Sequence, residues 1–344
     1  MIQKNMSRIR NKFFGDLNAN ILLTNNNVKS IEFDLARLAG LVDRVQNLVL
    51  RAEERLKHLD TRIVNSESKL LNSGTIVLSD KEIITKIFSG IKLSLDPRDV
   101  AVAIHIALDG IWEEQITKAW MKLVGERDTI LDIGANFGYF GVLAAQKTSK
   151  KKSKVVFFEA NPNLIPYINK TLDINWLNEQ CSVVNNAISN RSGTVTLNIL
   201  EDYIGCATLQ SIDHLGKYMD SKMHLKLGEA IKVPAITIDE YCSKNNIKTV
   251  DLIKMDIEGF EDKAYEGMRK TVAGSPNLKL FIEFTKDGYE NPKQFFKTLK
   301  QDFEYIYLIN KDGDIYNPKD KSYNSIVGGT DDWVMPIFSK KKLV

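Results

Sequence analysis

Proline is scarce and unevenly placed. The 344 residues contain eight prolines, and none precedes Pro97. No residue in the first quarter therefore forces a break in a helix. Cysteine is also rare: Cys181, Cys206 and Cys242 are scattered, with no Cys-x-x-Cys pair. That excludes a disulfide scaffold and a structural zinc site, and fits a reducing cytosol. No apolar run approaches the roughly 20 residues of a membrane span. The N-terminus lacks an uninterrupted apolar core followed by a small-residue cleavage site, so no signal peptide is expected. Charge of one sign is absent as well: 47 Lys and Arg stand against 44 Asp and Glu, a net charge of +3. That balance leaves no electrostatic footprint for nucleic acid. There is no internal repeat and no low-complexity block. These absences point to a cytoplasmic globular protein of one or two domains.

What is present divides at about residue 75. Apolar residues fall at Ile31, Leu35, Leu38, Val42, Val45, Val49, Ala52, Leu56, Leu59 and Ile63, with spacings alternating between four and three. This is a heptad seam, which a surface helix on a globule would drift off. Leu41 and Leu48 widen the apolar face. The expectation is a long coiled-coil-like helix over residues 1–75 that joins copies into a homo-oligomer, or alternatively packs on its own chain.

From residue 76 to 344 the period changes and a second domain is expected. "TIVLS" and "GIKLSLD" read as short strands, and the stretch after Pro97 reads as helical segments broken near Gly110. His105 lies among apolar residues there and reads as a core or surface residue rather than a ligand. Further on, strand and helix alternate. "TILDI", "KVVFFEA", "CSVVNNA", "GTVTLNIL", "VDLIKM", "NLKLFIEF", "FEYIYLI" and "DDWVMPIF" are strands, with helical patterns between several of them. Asn161-Pro162 reads as a capped helix start, and Thr237-Ile-Asp-Glu240 as a capping box. Such alternation predicts an α/β fold, a mostly parallel sheet with helices on both faces.

Ligands of such folds bind beyond the carboxyl ends of the strands. Polar residues at those ends are therefore the candidates: Asp132 with Gly134, Asn136 and Gly138; Glu159; Asn185 and Asn186; Asp256 and Glu258; Glu283. Glycines let backbone approach a ligand closely. A carboxylate after the second strand can accept bonds from ribose hydroxyls. The loop reads Gly-x-Asn-x-Gly and follows an Asp, whereas a pyrophosphate favours a bare glycine turn at a helix N-terminus. A ligand with a cationic ammonium and sulfonium suits this loop better, namely S-adenosylmethionine. An NAD-dependent oxidoreductase fits the mid-loop Asn less well.

"ILDIGANFGYF", "FFEANP", "NNAIS", "VPAITIDEY", "IKMDIEGFE" and "FIEF" occur in this order. Over about residues 85–310 the chain resembles the FkbM family of S-adenosylmethionine-dependent methyltransferases. "GIWEEQ" resembles the family's Gly-x-x-Glu lead-in. The resemblance implies a Rossmann-like class I methyltransferase domain with seven strands and a reversed last hairpin. It also implies O-methylation of a hydroxyl on a sugar, lipid or other secondary-metabolite acceptor. On this reading Asp132, Gly134, Asn136, Gly138, Glu159, Asn186 and Asp256 hold the cofactor. Asp256 and Glu283 are the candidate general bases, with Glu258 a third, and Glu261 serves a helix N-terminus. Asp256 with Glu258 lacks an obvious third ligand, so no metal is expected. The chain departs from the family pattern at "DYIGCATLQS", inside the 201–230 stretch that reads as a lid or acceptor wall and contains His214 and His224. A non-enzymatic scaffold with a methyltransferase-like binding domain is the alternative reading.

Overall fold

The structure, a computed structural model, describes residues 8, 74–148, 153–200, 205, 207–209, 227–286, 288–328 and 333–343. The expected N-terminal helix and its role in oligomerisation lie outside these residues, as do Cys206, His214 and His224.

The described chain opens with a three-stranded antiparallel sheet, β1 (Ile76–Ser79), β2 (Glu82–Lys86) and β3 (Lys92–Leu95). Two short helices follow, α1 (Ala103–Asp109) and α2 (Glu114–Leu123), separated at Gly110, which takes a φ of 68°. The main sheet is built from β4 (Thr129–Ile133), β5 (Lys154–Phe158), β6 (Cys181–Val184), β10 (Leu252–Met255), β11 (Lys279–Ile282), β13 (Tyr305–Ile309), β14 (Ile315–Tyr316) and β16 (Ile337–Ser339). Their spatial order is β14-β13-β16-β11-β10-β4-β5-β6. Strands β6, β5, β4, β10 and β11 run parallel. β16 enters antiparallel between β11 and β13. This is the expected mostly parallel sheet with its reversed hairpin, but with eight strands rather than seven. The extra strand is the two-residue β14, which folds back on β13.

The buried strands alternate their side chains between two apolar cores. One face carries Ile130, Val155, Phe157, Leu252 and Phe281, covered by α1, α2, α3 (Tyr139–Lys147) and α4 (Ile165–Ile174). The other carries Leu131, Ile133, Val156, Ile253 and Leu280. It is covered by α5 (Ile238–Lys244), α6 (Glu261–Glu266), α7 (Arg269–Gly274) and α8 (Pro292–Asp302). Helices thus cover both faces. β7 (Ala187–Ile188), β8 (Gly193–Leu200) and β9 (Leu227–Ile236) form a separate sheet beside the main one.

Several local expectations shift. "NLKLFIEF" splits at Glu283 into β11 and β12 (Phe284–Thr285), and "DDWVMPIF" splits into β15 (Trp333–Val334) and β16. β12 pairs with β15, so the chain changes partner at each split. Asn161 does not cap a helix. Its Oδ1 accepts from the Asn163 N–H at 3.0 Å, a local turn, and α4 starts only at Ile165. Thr237 does cap α5, accepting from the Glu240 N–H at 3.0 Å. Asp239 instead accepts from the Lys270 and Thr271 N–H groups at the start of α7.

One fully buried side chain joins the elements that carry the strand ends. Trp120 of α2 donates Nε1–H to the Phe140 carbonyl of α3 at 3.1 Å. Its ring meets Phe281 of β11 edge-on, with centroids 5.3 Å apart. Trp120→Ala is expected to lower stability by about 3–5 kcal/mol, read as a shifted urea midpoint with an unchanged slope. A loss under about 1 kcal/mol would show that α2 docks without it.

Candidate active site

Strand order reverses between β4 and β10, since the chain proceeds from β4 outward through β5 and β6 and then returns to the other side of β4. That switch point is where ligands of doubly wound sheets bind. The register places Phe157, Asp132, Lys254 and Phe281 in one row across four strands. The side-chain period of two then brings Glu159, Gly134, Asp256 and Glu283 into the next row, at the strand ends. Backbone bonds extend the pairing that far: Gly134 N–H to Phe158, Asp256 N–H to Ile133, and Glu283 N–H to Met255. Four residues picked out separately in the sequence therefore share one face at one edge.

The turn after β4 is tightly determined. Gly134 has a φ of 80°, and a Cβ there would lie 1.8 Å from the Asp256 carbonyl oxygen. Only glycine permits this approach of the two loops. Asn136 takes a φ of 53° and donates its N–H to the Glu159 carboxylate at 2.7 Å. Glu159 also accepts from the Asn161 N–H at 2.8 Å. Gly138, with a φ of 83°, precedes α3. Asn185 binds the Glu159 and Ala160 carbonyls and so ties the end of β6 to that of β5. Asn186 is half-buried beside it, its N–H bonded to the Val184 carbonyl.

A single buried cation organises the carboxyl groups. Lys254 is 3% exposed, donates to Asp256 Oδ2 at 2.7 Å, and lies 4.6 Å above the centre of the Phe140 ring. Burial alone would lower its pKa, but Asp256, Glu113 and Asp132 together raise it above the usual lysine value. The carboxyls are perturbed the other way. Burial lifts Asp132 to about 6, against the opposing pull of Lys254 and the Gly141 N–H bond. It lifts Glu159 to about 7 despite backbone N–H bonds from Asn161, Asn136 and Ala160. Glu113 reaches about 7 through burial, opposed by Lys254 and reinforced by Asp256.

The carboxylate oxygens of Asp256, Glu261 and Glu283 lie within 4.8 Å of one another. Burial, then the Asp256, Glu258 and Glu261 charges, raises Glu283 well above the carboxylate range. Glu261 does serve the loop ahead of its helix. It accepts from the Ile257 N–H and from the Tyr289 hydroxyl, and burial lifts it to about 7. Glu258 is exposed, with a φ of 55°.

Two parts of the site were not singled out as site residues in the sequence. Glu113, within the "GIWEEQ" motif, and Lys254, within the Lys-x-Asp-x-Glu-Gly run, both belong to it. A Lys inside the apolar strand "LIKM" was the available signal, since buried lysines need partners. The described part of the 201–230 stretch crosses the cleft. Gly205 donates to Asp99 Oδ2 at 2.8 Å and accepts from Asn136 Nδ2 at 3.2 Å. A Cβ on Gly205 would meet that amide at 2.6 Å. Thr208 donates to the Glu258 carbonyl at 2.9 Å. This strap therefore touches both the β4 loop and the β10 loop. A cavity of about 660 Å³ beyond Asn163 has its main charges paired with each other, Arg98 with Asp96 and Lys170 with Glu82. His105 is exposed on α1, with Asp109 and Trp112 as its neighbours.

A doubly wound sheet with a reversed hairpin, a strained Gly-x-Asn-x-Gly turn and a carboxylate after the second strand defines a Rossmann-like domain of the methyltransferase kind. The family model described as Methyltransferase FkbM domain matches residues 132–309, and the chain belongs to that S-adenosylmethionine-dependent methyltransferase family. Among solved structures, a methyltransferase FkbM from Methylobacillus flagellatus aligns with 14% identity and a TM-score of 0.39 over 81% of this chain. The alignment spans 59% of that protein's length. A SAM-dependent O-methyltransferase from Thermotoga maritima aligns with 14% identity and a TM-score of 0.38, over 76% of this chain and 78% of that one. The P. horikoshii TYW2 protein in complex with MeSAdo aligns with 13% identity and a TM-score of 0.38, over 76% and 71%. A search of curated proteins finds no match. No described helix is long and apolar enough to cross a membrane.

The raised carboxyl pKa values fix a direction for stability against pH. Asp132, Glu113, Glu159 and Glu261 hold protons more tightly in the folded chain than in the unfolded one. Their contribution is complete below the unfolded value near pH 4 and is lost as pH rises through about 6 to 7. The melting temperature of the ligand-free protein is expected to fall between about pH 5 and about pH 8, with a shallower fall in Asp132→Asn. A rise over that window would contradict this assignment.

Proposed function

We propose that the chain transfers the methyl group of S-adenosylmethionine to a hydroxyl oxygen of a small acceptor such as a sugar, a lipid or another secondary metabolite. The observation that carries this reading is the row Glu159, Gly134, Asp256 and Glu283 at the switch point, with Gly134 packed so close to Asp256 that a Cβ is excluded. The residues fit the cofactor. Glu113 Oε2, Asp132 Oδ1 and Asn136 Oδ1 are enclosed oxygens with no hydrogen-bond partner among the described residues. All three are acceptors, as a cationic ligand requires. Glu159 keeps acceptor capacity beyond that used by the Asn161, Asn136 and Ala160 N–H groups, because a carboxylate offers about four lone pairs. That capacity suits a ribose hydroxyl.

The cofactor, when bound, supplies a methyl group already activated by its sulfonium. The chain's task is then mainly alignment, worth several orders of magnitude in rate. Asp256 is the better placed of the two candidate bases. Its carboxylate makes one hydrogen bond among the described residues, from Lys254, and its side chain is 24% exposed at the cleft. Glu283 is surrounded by negative charge and keeps its proton, so it suits hydrogen-bond donation better than proton removal. Gly205 and Thr208, bonded to the β4 and β10 loops, are the described residues suited to border the acceptor.

Calorimetric titration of S-adenosylhomocysteine is expected to give saturable binding to wild type that weakens about tenfold or more in Glu159→Gln. Asp256→Asn is expected to slow methylation of hydroxylated acceptors at saturating cofactor by about 10²- to 10⁴-fold. Folded wild type that binds no S-adenosylhomocysteine would sink the proposal. An unchanged rate in Asp256→Asn would remove Asp256 as the base.

A further inference from the structure

We propose that β1 is a docking edge for a second copy of this chain: two β1 strands pair antiparallel and join two three-stranded sheets into one of six strands. The proposal does not depend on the activity. The order β1-β2-β3 leaves the small sheet with two outer edges. The β3 edge is sealed. The Lys92 N–H donates to Asn175 Oδ1 at 3.1 Å, and Asn175 Nδ2 donates back to the Lys92 carbonyl at 2.7 Å. The Ser94 N–H donates to Thr171 Oγ1 of α4 at 3.0 Å. Side chains of α4 and of the residue after it thus imitate a fourth strand. β1 has no such cover. Among the described residues, the backbone groups of Ile76, Val77 and Leu78 bond to nothing outside β2.

The side chains tell the same story. Register sets Leu95, Ile83 and Val77 side by side in one row. Leu95 is 0% exposed and Ile83 3%, yet Val77 is 72% exposed. The core row runs to the edge and stops without a neighbour. On the other face Ile76, 60% exposed, stands beside half-buried Ile84. Edge strands are protected by charge, proline, bulges or a covering element. β1 reads Ile-Val-Leu-Ser and has only a register shift between Val77 and Ser79, which leaves its apolar residues bare.

The strand's own chemistry selects a second copy. Paired antiparallel about Val77, Ile76 faces the second copy's Leu78, Thr75 its Ser79 and Gly74 its Asp80. Apolar meets apolar and no like charges meet. Such a contact is isologous and closes as a dimer. Two four-residue strands bury too little to hold a dimer alone. The chain leading into β1 supplies the rest. Its heptad seam ends at Ile63, 13 positions before Ile76, a span of at most about 45 Å. Two copies joined in parallel through that seam bring their β1 strands within reach, and the high effective concentration makes a short edge pairing sufficient.

The test uses the full chain. Wild type is expected to sediment as a dimer at micromolar concentration. Directly opposite residues of an antiparallel pair have Cα atoms about 4.5–5.5 Å apart, within disulfide range. Val77→Cys is therefore expected to form an intermolecular disulfide under mild oxidation about tenfold faster or more than Lys319→Cys, an exposed control position. Val77→Lys sets two ammonium groups against each other across the pair. It is expected to speed hydrogen exchange of the β1 amides about tenfold or more. Its far-UV circular dichroism should match wild type, because Val77 is exposed. A monomeric wild type would overturn the proposal. So would equal oxidation rates at the two positions, or unaltered β1 exchange in Val77→Lys. In an oligomeric wild type those results would leave the heptad seam as the joint, without β1.

Discussion

Lys254 is a charged side chain in the middle of a sheet, 3% exposed. A lone ammonium in such a place would shed its proton or unfold the strand. It stays charged because Asp256 lies one row along the same strand and Asp132 directly across on β4, with Glu113 within electrostatic reach. The dependence is mutual. Without the lysine, Asp132 and Glu113 would be driven further toward their neutral forms. The Phe140 ring beneath the ammonium adds a cation–π contact and belongs to the helix that Trp120 anchors. The charge arrangement at the strand ends and the packing of α2 on α3 therefore support each other.

The backbone bears the corresponding strain. Of the five described non-glycine residues with positive φ, three flank the cleft: Glu113, Asn136 and Glu258. Such conformations persist where surrounding contacts over-determine them. Those contacts are visible here: Thr117 at Glu113, Glu159 and Gly205 at Asn136, Thr208 at Glu258. The strap thus fastens two strained loops that belong to adjacent strands.

Much of this was legible in the sequence because it is local. A strand ending in a carboxylate, as in "KVVFFEA", carries its own punctuation, and a Gly-x-Asn-x-Gly turn between strand and helix is short enough to read directly. The alternation of elements indicated the parallel sheet. What could not be read depends on residues far apart in the chain. β2, "EIITK", is not legible because a strand of only five residues has little periodicity to show. Glu283 looked like part of one strand, but the chain changes partner there, from β16 to β15. The coming together of Asp256, Glu261 and Glu283 is a product of sheet register and loop folding. The bonds from Gly205 to Asn136 and to Asp99 span 69 and 106 residues. No local rule reaches that far. Glu113 was visible only as a motif residue, since its significance lies in an oxygen without a partner.

The carboxyl surplus also bears on when the site can act. Asp132, Glu113 and Glu283 all hold protons more tightly than free carboxyls do, chiefly through burial and partly because the Asp256 charge opposes their ionisation. Any positive charge brought into the cleft favours their ionised forms, so proton release and ligand affinity are linked by thermodynamic necessity. A general base needs an ionised carboxylate at the moment of proton transfer. A cleft of this composition gives up protons most readily when a cation is in it, so its charge is coupled to occupancy. Lys254 sets the limit of that coupling. It compensates one carboxylate fully, and the remaining negative charge is available to the ligand.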